Sequence, residues 1–359
     1  MASAQRVRLP PPSIDWLLVF LPVSIVADLS GQTVVVFVTS AVAIVPLAGL
    51  IGRSTEQLAV RLGPRLGGLL NATLGNITEL IVAVLLINAG SFAIVKASLI
   101  GSILGNLLLV LGVSFVVGGL RHKEQQFSSR AAGVHSASML LAVAGLLVPA
   151  LLILSTPDVG FFEKEVVSGV VAIVLIALYL AALAFTQITH AHLFHTPDRE
   201  EKATWSTRRA LIVLVGSAAL VGLESELLVS SLAPAIDILR IPPVFVGLIL
   251  IPIIGNAAEH SSAVFFAAKD RVDVTLEIAV GSSTQIAMFV APILVFISLA
   301  IGHPMDFVFN PFEVAMVTLA TLIVAVISLD GKSNWLEGVQ LVGAYVVMAA
   351  AAFFIKSAT

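Results

Sequence analysis

The chain has 359 residues, of which 58% are hydrophobic and 11% are charged, and its mean hydropathy is +1.06. Soluble domains carry about 25% charged residues, so this composition excludes an ordinary soluble globular protein. The net charge of −3 argues against nucleic acid as a partner, and the lack of cysteine excludes disulfides and thiolate metal ligands. Composition therefore predicts an integral membrane protein.

The N-terminal tail, residues 1–13, carries two arginines and three consecutive prolines. Because it lacks an apolar run that ends in a small-residue cleavage site, we interpret it as a retained tail rather than a signal peptide. The apolar runs that follow approach the roughly 20 residues that a helix needs to cross a bilayer. Their length and their Gly and Ala content predict an all-α fold, not barrel strands. Eleven transmembrane helices are predicted, at 14–29, 32–51, 66–89, 94–119, 132–154, 162–187, 210–233, 243–267, 274–301, 312–329 and 336–356.

Basic residues are distributed unevenly among the segments that connect these helices. With the N-terminus inside, 15 of the 19 Lys and Arg residues fall in inner segments and 4 fall in outer segments. Cytoplasmic loops of membrane proteins are enriched in Lys and Arg. We therefore predict a multi-pass protein with a cytoplasmic N-terminus and, after an odd number of helices, a C-terminus outside.

One short pattern, Gly-Asn-x-x-Glu, occurs twice in the most apolar parts of the chain, at 75–79 and 255–259. The copies are 180 residues apart, and a Gly-Ser pair follows each copy in the same register, at 101–102 and 281–282. This register predicts two five-helix repeats, and because five is odd, the second repeat is inverted in the membrane, as in many secondary transporters. The predicted parts are a tail with a peripheral first helix (1–31), a first repeat (32–189), an inner connecting loop (190–209) and a second repeat (210–359).

The acids of the doubled motif are Glu79 and Glu259. A carboxylate in hydrocarbon costs about 2.5–3.5 kcal/mol on insertion scales, so we predict that both are functional and converge on one site at the midplane. Each acid follows an asparagine, Asn76 or Asn256, by three residues and therefore shares a helix face with it. The alternative is a structural pair that bridges two helices.

The two motif glycines, Gly75 and Gly255, weaken their helices just before each acid. We expect a local break at both glycines, which frees backbone carbonyl groups to point at an ion. Two carboxylates, two amides and several carbonyls form a hard-oxygen set, which suits Ca²⁺ with its roughly 6–8 oxygen ligands. Softer metals prefer His or Cys.

The same oxygens predict a proton partner. Two carboxylates that face each other in a low-dielectric site cannot both stay ionised when the site is empty, so at least one binds a proton. Ca²⁺ and protons then compete for one site, and alternating exposure of that site to the two sides is sufficient for antiport. His260, next to Glu259, either orients that carboxylate and passes protons or packs against a neighbouring carbonyl.

Polar groups beyond the motifs are candidates for support and for access. The helices after the motifs carry Ser102, Asn106, Ser282, Ser283 and Gln285; Gln285 aligns with Gly105 rather than with Asn106, so the halves need not bind the ion equally. Glu56 and Glu226 either attract cations at the mouth of the pathway or are solvated carboxylates at helix ends. His190, His192 and His195 are assigned to a solvated helix end rather than to a metal cluster.

Gly-Asn-Ile-Thr-Glu at 75–79 and Gly-Asn-Ala-Ala-Glu-His at 255–260 resemble the paired signature segments of Ca²⁺/H⁺ exchangers, which belong to the calcium/cation antiporter superfamily. The segments 101–106 and 281–285 are similar to those that follow in that family, and the resemblance extends from about residue 33 to 354. It implies an eleven-helix fold in which Glu79 and Glu259 bind Ca²⁺ and protons in turn, supported by Asn76, Asn256 and Gln285.

The resemblance also bears on the counter-ion and the compartment. Sodium-coupled relatives usually carry Gly-Thr-Ser-type motifs, so Asn76, Asn256 and His260 favour protons. Ile77 stands where Ala is more usual, and the connecting loop has only three acids, Asp198, Glu200 and Glu201, where many members carry a longer acidic stretch. A prokaryotic plasma membrane is therefore predicted.

The prediction is an antiporter of Ca²⁺ and H⁺ in a lipid bilayer, without enzymatic activity or a cofactor. A passive cation channel is an alternative, because broken helices also build pores. A sodium/calcium exchanger of the same superfamily is another. An intramembrane enzyme has less support, since neither H-E-x-x-H nor G-x-S-x-G occurs in the sequence.

Overall fold

The structure is a computed structural model that describes residues 13–156, 158–191 and 203–355. Most of the predicted connecting loop lies outside these residues, including His192, His195 and the acids Asp198, Glu200 and Glu201. Nearly all of the described chain is helical. The helices are α1 (Phe20–Leu29), α2 (Thr33–Leu74), α3 (Ile77–Asn88), α4 (Phe92–His122), α5 (Ser129–Ser155), α6 (Phe161–Thr189), α7 (Thr207–Leu239), α8 (Pro243–Ala267), α9 (Val272–Ala300), α10 (Pro311–Ile327) and α11 (Trp335–Phe353).

Eight helical stretches of the described chain are long and apolar enough to cross a membrane. They are Thr33–Gly63 of α2, together with α4, α5, α6, α7, α8, α9 and α11, whereas α3 and α10 are shorter apolar helices. The integral membrane class is therefore confirmed. The count of eleven spanning helices and the inverted five-helix repeats remain predictions.

Helix α2 contains a sharp bend that separates two of the predicted segments. Gly63 has φ 79° and ψ 173°, a backbone conformation that only glycine adopts readily. A Cβ on Gly67 would clash with the carbonyl oxygen of Ala59. In a straight helix these residues would be about 12 Å apart, so the chain folds back at Gly63. The predicted segment 66–89 therefore consists of the end of α2 followed by α3.

The ends of several helices follow capping chemistry. Ser128 and Ser206 accept hydrogen bonds from backbone N–H groups in the first turns of α5 and α7. Asn310 and Asn334 form capping boxes with Glu313 and Glu337 at the starts of α10 and α11. Irregular π turns interrupt α4, α8 and α9 at Gly105–Val110, Val246–Leu250, Glu277–Gly281 and Ile286–Val290, on either side of the two motif regions.

Two buried clusters divide the molecule. The larger cluster joins α3, α4, α8 and α9 to the helices packed around them. A smaller one lies between α2 and α7, where Leu47 and Ile51 pack with Val221, and the residues just before and within α1 cover it. Helices α1, α2 and α7 therefore form a bundle beside the central helices.

Loops at the two ends of the molecule are tied across helices. At one end, β1 (Glu124–Gln126) pairs antiparallel with β2 (Lys332–Asn334), and Gln125 Nε2 donates to the Ala267 carbonyl at 2.9 Å. At the other end, Lys96 bonds to Asp306 and to the carbonyl of Val308. The strand-bearing end is the one that the positive-inside rule predicts to be cytoplasmic.

Candidate functional site

The break predicted at the first motif is present. Asn76 has φ −101° and ψ 24°, which are not helical values, and it separates α2 from α3. Glu79 follows in the first turn of α3. The end of α2 therefore points carbonyl groups, and the start of α3 points N–H groups, into the interior of the molecule.

The break predicted at Gly255 is wrong. Regular helix runs from Ile251 to Ala267, through the whole second motif. The irregularity lies upstream, in the π turn Val246–Leu250, and Pro252 has no N–H with which to bond the carbonyl of Leu248. That carbonyl lies directly against Gly101 of α4, where a Cβ would clash with it.

The asparagines of the motifs cross over to the opposite half of the chain. Asn76 Nδ2 donates to Gln285 Oε1 at 2.9 Å, and Ser282 Oγ lies 3.4 Å from Asn76 Oδ1. Asn256 Nδ2 donates to Ser102 Oγ at 3.2 Å. The pairs Asn76–Ser282 and Asn256–Ser102 hold equivalent positions of the predicted repeat. Each motif is thus held by the helix that follows the other motif.

The two acidic side chains lie together in this cluster. A Cβ built on Gly255 would be 3.4 Å from Glu79 Oε1, so the carboxylate of one motif rests on the glycine of the other. Ser282 Oγ, which lies 3.4 Å from Asn76 Oδ1, also lies 3.1 Å from Glu259 Oε2, so the second acid reaches the first motif through this hydroxyl. Both acids are partly buried. The arrangement concentrates negative charge and oxygen ligands at the contact between the two motifs.

Several buried polar atoms near this cluster have no hydrogen-bond partner among the described residues. They are both amide atoms of Asn106, Asn256 Oδ1 and His260 Nε2. Buried polar atoms without partners are costly, so the amide oxygens of Asn106 and Asn256 are available to an ion, and Asn106 Nδ2 and His260 Nε2 are available to water. Ser283 differs, because its hydroxyl donates to the Ala279 carbonyl of its own helix at 2.8 Å.

A cavity opens beside Glu79. Its polar wall consists of Glu79, Ser98 and Ser102, with the backbone of Gly255, and apolar side chains of α2, α3, α4, α7, α8 and α9 complete it. Sequence reasoning missed Ser98. Its signal was spacing, because it precedes Ser102 by four residues and shares its helix face. No group of three or more His, Cys, Asp or Glu residues that could hold a metal ion occurs in the described ranges. The donor set is therefore mainly amide, hydroxyl and carbonyl oxygen around two carboxylates.

The segments before the two motifs pack differently, although the predicted repeat makes them equivalent. In the second half, a Cβ on Gly247 would lie 2.8 Å from Ala97 Cβ of α4. In the first half, the equivalent Gly67 meets Ala59 of its own helix rather than α9. Exposure follows the same contrast, because Leu66 and Leu69 are 58% and 46% exposed, while their equivalents, Val246 and Ile249, are 0% and 7% exposed.

The glycines of the following helices repeat this contrast. Gly101 touches the Leu248 backbone, whereas the nearest atom to a Cβ on Gly281 is Glu277 Oε1 of the same helix, at 3.5 Å. Residues 244–254 pack against α4 and therefore seal one end of the cluster. The equivalent glycines, Gly67 and Gly281, do not bring 64–74 into such contact with α9 among the described residues, so the other end is unsealed.

The remaining candidates lie elsewhere. Glu56 and Glu226 are exposed on α2 and α7, and their assignment to the pathway mouth remains a prediction. His190 stacks on Phe185 with ring centroids 4.0 Å apart, at the end of α6. The predicted solvated histidine cluster otherwise falls outside the described residues.

Comparison with known proteins gives the family. The sodium/calcium exchanger protein family matches residues 32–187 and 209–354. A Ca²⁺/H⁺ antiporter of Synechocystis sp. is 46% identical, over 94% of this chain and 96% of its own length. The antiporter ChaA of Bacillus subtilis is 40% identical, over 93% and 97%. The structure of native YfkE has a TM-score of 0.84 at 38% identity and covers 96% of this chain and 100% of its own. The chain belongs to the sodium/calcium exchanger protein family and, within it, to the Ca²⁺/H⁺ exchangers.

Proposed function

We propose that the protein is a secondary active antiporter that exports Ca²⁺ in exchange for protons across a prokaryotic plasma membrane, with its N-terminus in the cytoplasm. The observation that carries this proposal is the contact between the motifs, where the Glu79 carboxylate rests on Gly255 and Ser282 links Glu259 to Asn76. Relatives at 46% and 40% identity are named Ca²⁺/H⁺ antiporters, which supports the same ions here.

Competition between the ions follows from the charge of the site. A divalent cation between Glu79 and Glu259 cancels two negative charges, and two protons cancel the same charge. The donors around the acids suit a cation that binds and leaves, because amide, hydroxyl and carbonyl oxygens are hard ligands at flexible spacing. Asn256 Oδ1 is buried, has no hydrogen-bond partner in the part of the chain that the structure describes, and is thus a ready ligand. The bond to Gln285 Oε1 fixes the Asn76 amide, so that its oxygen faces Ser282.

Alternating access is supported by the unequal packing of the two halves. Where α8 lies on α4, the Leu248 carbonyl and Gly101 close one side of the site. Transport requires the reverse arrangement, in which 64–74 docks on α9 with Gly67 and Gly68 against positions 274–281, while 244–254 moves away from α4. The unsealed segment lies toward the strand-bearing end, so the described arrangement faces the cytoplasm.

The decisive test is Ca²⁺ uptake into proteoliposomes under an imposed pH gradient. The wild type should accumulate Ca²⁺ uphill with counterflow of protons, and replacing Na⁺ by choline should not change the rate. Glu79→Gln and Glu259→Gln should each abolish exchange while the protein stays folded. Glu163→Gln, which neutralises an exposed acid at the start of α6, is the matched control.

Three results would count against this function. Ca²⁺ movement without proton counterflow would contradict antiport, and purely downhill movement would indicate a channel. Dependence on Na⁺ would indicate sodium/calcium exchange.

A further inference from the structure

Glu224 is a buried acid outside the calcium site. It lies midway along α7 and is 0% exposed. Ser24 of α1 is also 0% exposed, and its hydroxyl is shared between Glu224 Oε1 at 2.9 Å and the Leu21 carbonyl of its own helix at 2.8 Å. The second oxygen, Oε2, is buried and has no partner among the described residues. No salt bridge to Glu224 forms within that part of the chain either.

Within the ranges that the structure describes, the salt bridges of Lys, Arg and His do not involve Glu224. Arg53 of α2 already forms an ion pair, at 2.6 Å, with Asp15, which lies just before α1. Burying an ionised carboxylate without a counter-ion costs far more than burying the neutral acid. A single hydroxyl donor does not offset that difference.

Helix α1 is short and packs with one side over Glu224. It has only ten residues, and its buried residues are Ser24 and Ala27. Its other side chains include Val26 and Leu29, which are 61% and 82% exposed. The buried side of α1 is thus the side that carries the hydrogen bond to Glu224. Position 224 is equivalent to Ile44 in the predicted repeat, so the first repeat has no equivalent acid.

We propose that Glu224 is a second proton-binding site, separate from the calcium site, and that α1 shields it from water through Ser24. The proton resides on Oε2, while Oε1 accepts the bond from Ser24. The inference concerns α1 and α7 and does not depend on which ions the protein exchanges.

Infrared spectroscopy of the full-length protein in lipid tests this proposal directly. The site acids are first removed in a Glu79→Gln/Glu259→Gln background, so that they contribute no signal. Subtracting the spectrum of Glu224→Gln in this background should reveal the C=O stretch of one protonated carboxyl group. Glu226→Gln is the matched control, because it removes an exposed acid two residues away on the same helix. It should leave that band in place.

Ser24→Ala provides a second measurement in a protein that keeps Glu224. Loss of the hydrogen bond should move the same C=O band to higher frequency without removing it. The proposal is overturned if Glu224→Gln removes carboxylate bands instead of an acid band, or if it changes neither. An acid band that is insensitive to Ser24→Ala overturns the role of α1. Size-exclusion profiles establish that each variant is folded.

Discussion

Substitution of Gly101 by alanine should shift the balance between the two arrangements of the protein. The new Cβ would overlap the Leu248 carbonyl and lie 2.7 Å from Pro252 Cγ. Overpacking of this kind costs about 1–3 kcal/mol, and most of this cost falls on backbone that cannot move aside. The described arrangement, in which α8 is docked on α4, is therefore disfavoured by about 5–150-fold.

Gly281→Ala is the matched variant, and it should act in the opposite direction. Its Cβ meets only Glu277 Oε1 at 3.5 Å, which is ordinary contact, so the described arrangement tolerates it. In the reverse arrangement the same methyl group would face the docked 64–74 segment and incur a similar cost. The two substitutions are chemically identical and stand at equivalent positions, so a difference in sign cannot come from general destabilisation.

The assay uses the fact that the chain has no cysteine. A single cysteine at Asn71, which is exposed here and whose equivalent, Ile251, is 8% exposed, reports the arrangement through its labelling rate with a water-soluble maleimide. Labelling should slow in Gly101→Ala and should be kept or accelerated in Gly281→Ala. A cysteine at Glu163 controls for general access. Equal labelling in the two glycine variants would refute the assignment of a sealed and an unsealed half.

Three further expectations concern the site and the fold. Ser102→Ala removes a hydrogen-bond acceptor that lies 3.2 Å from Asn256 Nδ2. Loss of this bond costs about 1 kcal/mol, so calorimetry should show roughly fivefold weaker Ca²⁺ binding. An unchanged affinity would contradict that role. If protons and Ca²⁺ compete for Glu79 and Glu259 as proposed, Ca²⁺ affinity should fall as pH is lowered, with up to about two protons displaced per ion, and Glu79→Gln should reduce this number to about one. An affinity independent of pH would refute the competition. Gly63→Ala places a side chain at φ 79° and should destabilise the protein by about 1–3 kcal/mol in thermal unfolding. Gly52→Ala is the control, because no atom lies within 4 Å of its new Cβ, and it should not destabilise the protein. Equal effects would argue against the fold-back at Gly63.

The doubled motif identified the two segments that the structure brings together, but not how each helix carries its side chains. The sequence held the missing information in the residues after each asparagine. Ile77 and Thr78 are weak helix formers, and the first motif breaks. Ala257 and Ala258 are strong helix formers, and the second motif continues as regular helix. Reading the shared glycine alone gave the wrong expectation for the second half.

Contacts between the halves were beyond sequence reasoning for a different reason. The crossed bonds of Asn76 with Gln285 and of Asn256 with Ser102 join residues more than 150 positions apart. Residue types identified all four as candidates. Which of them bond to each other depends on how the helices of the two halves pack. The role of Gly101 could not be predicted either. It lies against the Leu248 carbonyl whereas Gly281 has no backbone contact of this kind, and the sequence does not distinguish the two glycines.

The predicted repeat places glycines at equivalent positions in both halves, 67 with 247 and 101 with 281, and of these four only Gly101 and Gly247 lie against the other half. On the proposed alternating-access mechanism, Gly101 and Gly247 allow the close approach of α8 to α4, and Gly67 and Gly281 allow the equivalent approach of 64–74 to α9, so the glycines alone favour neither seal. The occupant of the site then decides when the seals exchange. With Ca²⁺ or two protons bound, the charges of Glu79 and Glu259 are cancelled and both sides can close over them. An empty site would bury two repelling carboxylates without compensation, which is strongly unfavourable. On the proposed mechanism, the protein therefore crosses between its two arrangements only when loaded, and this condition would couple the outward flow of one ion to the inward flow of the other.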